Sequence, residues 1–131
     1  TEGADRLVSG TRGDLMFGGG GNDLLLGNGG NDTLVGGPGA DRLIGGAGID
    51  TASYHDSAMG VTVNLATNAN SGGAAGDLLY GIENLLGSRH NDVLLGDRGM
   101  NVIQGGDGND RIFGYGAMDT LIGGNGDDYL D

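Results

Sequence analysis

Large apolar residues recur at every ninth position over most of the chain. Leu7, Met16, Leu25, Leu34 and Leu43 mark the interval, and Leu94, Ile103, Ile112, Leu121 and Leu130 repeat it downstream. Ala52 closes the first series and is the one small residue in it. The positions between are mostly glycine, asparagine and aspartate. This is not the 3.6-residue period of an amphipathic helix, nor a long alternation. It predicts short strands of about three residues, such as Leu24-Leu25-Leu26, separated by turns. Alternation points the middle side chain to one face and its two neighbours to the other. Glycine reaches the positive-φ conformations of tight turns, and Asn and Asp tolerate them. Helix is disfavoured, because each glycine costs about 1 kcal/mol relative to alanine.

The nine-residue ruler carries a second mark. Counting the large apolar residue as position eight, position six reads Asp5, Asp14, Asp23, Asp32, Asp41 and Asp50, then Asp92, Asn101, Asp110, Asp119 and Asp128. Eleven nonapeptides result, six in residues 1–53 and five in 87–131. One turn plus one strand is half a coil, so two blocks return the chain to its starting side. The expected fold is all-β: stacked coils giving two parallel sheets, the eighth positions between them, and two columns of turns at the edges. Asp5, Asp23 and Asp41 fall on one edge, and Asp14, Asp32 and Asp50 on the other. No block buries its own apolar residue, so stability must come from stacking.

Residues 54–86 interrupt the ruler. Val61 to Leu65 alternates and reads as a strand, Asn68 to Gly76 as a small-residue loop, and Gly72 to Tyr80 as a degenerate block. Asp77 lies three periods beyond Asp50, and Glu83 lies one period before Asp92, with Leu85 at a core position. A bulged coil that joins both runs into one roll is expected. Two rolls on a flexible joint is the rival reading.

Composition sharpens the picture. Glycine is 32 of 131 residues, and Phe, Tyr and Trp together number six. So little bulk cannot offset the entropy of ordering so much glycine. The net charge of −12 opposes nucleic-acid binding, and self-repulsion tends to hold the chain open. There is no cysteine, hence no disulfide or thiolate metal site. No apolar run approaches the ~20 residues of a membrane span. No signal sequence is visible. The chain opens inside a block and closes at the end of one, as expected of a piece of a longer protein.

A cation would reverse these difficulties. Stacked turns bring the carboxylates of one column to about 4.8 Å from one another, the spacing of neighbouring strands. Such crowding is unfavourable without a positive ion between them. Glycine turns let carbonyl oxygens face the same gap. A hard, all-oxygen donor set with room for six to eight ligands suits Ca²⁺ better than Mg²⁺. Zinc and copper would want His or Cys, which the blocks do not supply. His55 and His90 have no partner at metal-site spacing and read as surface residues.

Blocks such as Gly105-Gly106-Asp107-Gly108-Asn109-Asp110-Arg111-Ile112 fit the pattern G-G-x-G-x-D-x-U-x, where U is a large apolar residue. The chain resembles the RTX, or haemolysin-type, calcium-binding repeats over residues 1–53 and 87–131. The resemblance implies a parallel β-roll, a right-handed solenoid. It implies export from bacteria by type I secretion and folding outside the cell. It also implies a ligand scheme. One turn gives the carbonyls of positions two and four and its carboxylate; the turn eighteen residues on gives the carbonyls of positions one and three and its own carboxylate. Carried over, one ion takes Gly19, Gly21 and Asp23 with Gly36, Pro38 and Asp41. Another takes Asn28, Gly30 and Asp32 with Gly45, Ala47 and Asp50. At the amino-terminal end, Gly3 and Asp5 face Gly18, Gly20 and Asp23, and Asp14 faces Gly27, Gly29 and Asp32. In the second run, Ser88, His90 and Asp92 face Gly105, Asp107 and Asp110. Asp97, Gly99 and Asn101 face Gly114, Gly116 and Asp119. Gly106, Gly108 and Asp110 face Gly123, Asn125 and Asp128. About seven Ca²⁺ ions are expected. Arg12, His90 and Ala117 replace the fourth-position glycine, and Asn101 is a neutral ligand, so those sites depart from the pattern.

Ninth positions are often apolar: Val8, Phe17, Leu26, Val35, Ile44, Leu95, Phe113 and Ile122. They should face outward, either as a docking stripe for a neighbouring domain or second copy, or as ordinary sheet-favouring surface. No nucleophile or acid–base constellation is present, so the fragment itself is not expected to be an enzyme. The expected function is a module that folds on binding calcium and stabilises or positions an attached secreted effector. The alternative is a polysaccharide- or surface-binding module, which six scattered bases and six aromatics support only weakly.

Overall fold

A computed structural model describes all residues 1–131. It is built of strands alone. In chain order these are β1 (Arg6–Val8), β2 (Leu15–Phe17), β3 (Leu24–Gly29), β4 (Thr33–Val35), β5 (Arg42–Ala47) and β6 (Thr51–Ser53). The interruption supplies β7 (Val61–Asn64), β8 (Ser71–Gly72), β9 (Leu78–Tyr80) and β10 (Asn84–Leu86). The second run supplies β11 (Val93–Leu95), β12 (Val102–Asp107), β13 (Arg111–Phe113), β14 (Thr120–Asn125) and β15 (Tyr129–Leu130).

The strands form a parallel β-solenoid. One face is a six-stranded sheet in the order β14-β12-β10-β6-β4-β2. The opposite face is divided into a four-stranded sheet, β1-β3-β5-β9, and a five-stranded sheet, β15-β13-β11-β7-β8. Every pairing is parallel except β7 with β8. Alternate blocks go to alternate faces because one turn reverses the chain and the next returns it.

Register follows the apolar ruler. Leu7, Leu25, Leu43 and Leu79 are successive partners on one face. Met16, Leu34, Ala52, Leu85, Ile103 and Leu121 are successive partners on the other. Val63, Leu94, Ile112 and Leu130 complete the divided face. Leu25, Leu34, Leu43, Ala52, Val63, Leu94, Ile103 and Ile112 have no exposed surface at all. A one-residue slip would turn each of these outward, so the burial itself locks the register.

Residues 54–86 fit into this stack by two adjustments. In the six-stranded sheet β10 pairs directly with β6, Leu85 opposite Ala52. On the divided face no strand links β9 to β7. Side-chain amides fill that place. Asn68 Oδ1 accepts from the Leu79 N–H at 2.8 Å, and Asn68 Nδ2 donates to the Leu79 carbonyl at 3.2 Å. Asn70 accepts from the Asn64 N–H at 2.8 Å and donates to the Asp77 carbonyl at 2.9 Å. A primary amide offers one acceptor and two donors, so it can replace a peptide group in a ladder.

Three expectations are corrected. β3, β5, β12 and β14 each run six residues instead of three, because pairing continues into the following turn, as in Asn28 with Gly46. The stretch 68–76 is not loop throughout, since β8 pairs with β7. Val35 does not face outward but is 1 % exposed. The chain leaves the repeat path after Ser53, and Tyr54 and Asp56 to Met59 gather with Gly37 and Pro38 around one small cavity beside the turn that follows Val35.

Candidate metal centre

The turns stack in two columns. At each step the N–H of the position-six residue donates to one carboxylate oxygen of the coil above. Asp5 donates to Asp23, Asp23 to Asp41, Asp14 to Asp32, and Asp32 to Asp50, each at 2.8 Å. The second run continues with Asp92 to Asp110, Asn101 to Asp119, and Asp110 to Asp128, each at 2.9 Å. One oxygen of each accepting aspartate, Oδ1, is thereby occupied.

The other oxygen is the informative one. Oδ2 of Asp23, Asp32, Asp41, Asp50 and Asp110 is buried and has no hydrogen-bond partner. An unmet buried acceptor costs about 1–3 kcal/mol, and more when charged. Buried polar groups are ordinarily paired, so five unpaired oxygens at the same position of five turns call for one common explanation. The orphans sit beside carbonyl oxygens. A Cβ placed on Gly18 would lie 2.5 Å from Asp23 Oδ2 and 2.6 Å from the Gly36 carbonyl oxygen, so both oxygens border one small space. Gly27 brings Asp32 Oδ2 and the Gly45 carbonyl together in the same manner, and Gly105 does so for Asp110 Oδ2 and the Gly123 carbonyl. Any side chain at position one would occupy this space.

The remaining carbonyls face the same gaps. Gly19 and Gly21 adopt φ of 102° and 117°, open to glycine and strained for most residues. Their carbonyls face Gly37 and Gly39 of the turn above. The carbonyls of Gly36 and Pro38 face back and accept from the Gly19 and Gly21 N–H groups, both at 3.0 Å. Asn28 takes the Gly19 role at φ 65° and Gly106 at φ 108°. No three carboxylate or imidazole side chains converge on a metal-sized site, so any ion here would draw most of its ligands from the backbone. That donor set, two carboxylates and several carbonyls, fits Ca²⁺.

At the amino-terminal end a positive group is already placed. The Thr1 ammonium donates to Asp5 Oδ2 at 2.8 Å and to the Gly18 carbonyl at 3.1 Å. These correspond to Asp23 Oδ2 and the Gly36 carbonyl one coil later.

Electrostatics agree. Burial, followed by the charges of Asp77 and Asp23, pushes the Asp41 carboxyl up to about 6. Burial likewise raises Asp50, Asp77 and Asp110. Tyr54 is driven well above the usual phenol range by burial and then by Asp77. Without a counter-ion these carboxylates resist ionisation.

The interruption contributes groups to both columns. The Asp41 N–H donates to Asp77 Oδ1 at 2.8 Å, and the Tyr54 hydroxyl donates to Asp77 Oδ2 at 2.9 Å. The Asp50 N–H donates to Glu83 Oε2 at 2.8 Å. The turn from Leu79 to Leu85 is three residues shorter than a full block. Glutamate, longer by one methylene, takes the place of aspartate there. The Gly81 carbonyl borders the same space as Asp50 Oδ2. The position of Asp77 and Glu83 on the ruler was the sequence signal for these two; nothing in the sequence marked Gly81. Position-five asparagines form a further ladder that sequence reasoning passed over. Asn22, Asn31, Asn91 and Asn109 each accept from the N–H eighteen residues on, at 2.8–3.0 Å.

The RTX calcium-binding nonapeptide repeat matches the chain in four copies, over residues 1–34, 17–52, 86–117 and 118–131. No curated protein matches it.

Proposed function

The chain belongs to the family of RTX calcium-binding nonapeptide repeats, and from that premise we propose that calcium binding is what folds it. The observation that carries this reading is the set of five buried carboxylate oxygens without partners, those of Asp23, Asp32, Asp50 and Asp110 each bordering one small space with a carbonyl oxygen. The gaps do not exist in an unfolded chain, so ion binding and folding are one process. Extracellular calcium modules bind at about 10⁻⁴–10⁻³ M. At ten times the dissociation constant each ion contributes about 1.4 kcal/mol. Five ions then contribute about 7 kcal/mol, comparable with the whole stability of an ordinary domain. Both repeat runs, residues 1–53 and 87–131, load as parts of one roll. The setting is outside a bacterial cell after type I secretion, where the ordered roll stabilises or positions an attached effector.

Far-ultraviolet circular dichroism during calcium titration tests this, with magnesium as control. Strand signal should appear cooperatively with calcium in the millimolar range and not with magnesium. A fully ordered chain after exhaustive chelation would sink the proposal.

A second reading has one observation in its favour. Three of the six aromatics gather on one face, Phe113 and Tyr115 from one coil and Tyr129 from the next. The Phe113 ring lies 6.1 Å from Tyr115 and 5.7 Å from Tyr129, with the Arg111 guanidinium 5.8 Å from the Phe113 centroid. Tyr115 and Tyr129 are more than half exposed. Such a platform offers apolar faces to sugar rings. Loss of polysaccharide binding in Tyr115→Ala at saturating calcium would support it, and no binding by the unmodified chain would remove it.

A further inference from the structure

The turns of this roll are of two kinds, and we infer that calcium enters only one of them. Resting on the calcium-folding reading above, the inference is that ions fill the gaps at Asp23, Asp32, Asp41, Asp50 and Asp110. The two gaps between these groups, at Asp92 and Asn101, are closed by the protein's own hydrogen bonds and take none.

In turn 87–92 the Ser88 N–H donates to Asp92 Oδ2 at 2.6 Å. The Ser88 hydroxyl and the Val61 N–H both donate to Asp92 Oδ1 at 2.8 Å. Three donors satisfy this carboxylate, and hydrogen bonds to the ionised form stabilise its charge. In turn 96–101 the Asp97 N–H donates to Asn101 Oδ1 at 2.9 Å. Asn101 Nδ2 donates to the Glu83 carbonyl at 2.7 Å. The amide has no charge to neutralise and no unmet oxygen. Neither side chain leaves an unpaired buried atom, whereas the five aspartates above all do.

The backbone explains the division. In the open turns position two has positive φ: 102° at Gly19, 65° at Asn28, 98° at Gly37, 107° at Gly46 and 108° at Gly106; Tyr115 at 72° and Gly124 at 108° share it in the last two turns, whose Asp119 and Asp128 are only half-buried. There the N–H is turned away from the turn's own carboxylate, as in Gly19, which donates to the Gly36 carbonyl. Ser88 and Asp97 are not among the positive-φ residues, and their N–H groups point back at position six. Closing the gap from inside removes the orphan that a cation would otherwise satisfy.

Crystals of the unmodified chain grown in calcium, with anomalous scattering used to locate the ions, provide the direct test. Expected are peaks between the coils at Asp23, Asp32, Asp41, Asp50 and Asp110, and none beside Ser88 or Asp97. A peak in either closed gap overturns the inference and leaves the calcium-folding reading intact; peaks nowhere overturn both. Calcium counted per chain by equilibrium dialysis gives a second measure that needs no crystal. Ser88→Gly removes the hydroxyl donor and frees position two for positive φ, so the count should rise by one. Asp50→Asn should lower it by at least one. An unchanged count in Ser88→Gly overturns the role given to Ser88.

Discussion

Turn 18–23 and turn 87–92 occupy equivalent places in the solenoid, yet they meet the same electrostatic demand in opposite ways. In the first, glycines at positions two and four hold φ above 100°, and Asp23 is left with one oxygen unmet. In the second, Ser88 and His90 stand at those positions, and Asp92 is held by three protein donors. Both turns stack on the next coil, and both place a leucine in the core, Leu25 and Leu94. Core packing is therefore indifferent to which kind of turn is used. What differs is whether the protein's own donors satisfy the carboxylate or leave one of its oxygens unmet.

The comparison is broken most severely at an open turn. Gly48 has φ of 136°, and a Cβ there would lie 2.7 Å from the Gly30 carbonyl carbon. Gly48→Ala should cost about 3 kcal/mol from the backbone conformation alone. The calcium midpoint followed by circular dichroism should move up sharply. Asn68→Ala should cost about 1–3 kcal/mol, because it leaves the Leu79 N–H and carbonyl without their partner. Since no ion acts there, urea denaturation should show the same loss at low and high saturating calcium.

Acidity acts on three of the open turns in a gentler way. A carboxyl raised by folding favours the folded state when protonated. For Asp41 that contribution is fully present below the model-peptide value of 3.8 and is lost as pH rises through about 6. Asp50 and Asp110 shift in the same direction. The calcium-free chain should therefore gain strand signal as pH falls from 7 toward 4, while calcium affinity falls because protons compete for the same oxygens. Circular dichroism in chelator across that range checks the first effect, and calcium titration at two pH values the second.

The smallest effects are expected at position five. Asn109 accepts from the Asp127 N–H at 3.0 Å and is exposed, so Asn109→Ala should cost about 0.5–1 kcal/mol. Met100, at the equivalent place in a closed turn, is 67 % exposed. Met100→Ala should stay within about 0.5 kcal/mol in the same urea measurement.

How much was legible varies along the chain for physical reasons. The core was read correctly from the nine-residue spacing except at the last coil, where Leu130 is 40 % exposed, because stacking turns the same apolar position of every block inward and an end coil has a neighbour on one side only. Val35 escaped that reading. Its burial depends on where a non-repeating segment folds back, and no period encodes a single excursion. Gly81 escaped too, since a carbonyl has no side chain to mark it. Asp77 kept phase with the first run and Glu83 with the second, which marked both as position-six residues, but that Glu83 stands over Asp50 came only with the structure.

By itself the sequence determined the period, the all-β parallel solenoid, the residues between its sheets and the alternation of acids between two edges. Those follow from local repetition, in which each block states its own conformation and its partner. Tertiary structure alone decided which carboxylate oxygens lack a donor, how asparagine amides bridge the gap in the divided face, and that Tyr129 joins Phe113 and Tyr115 on one platform. Each of these depends on which N–H or ring arrives from another coil, and that is fixed only when the coils are stacked.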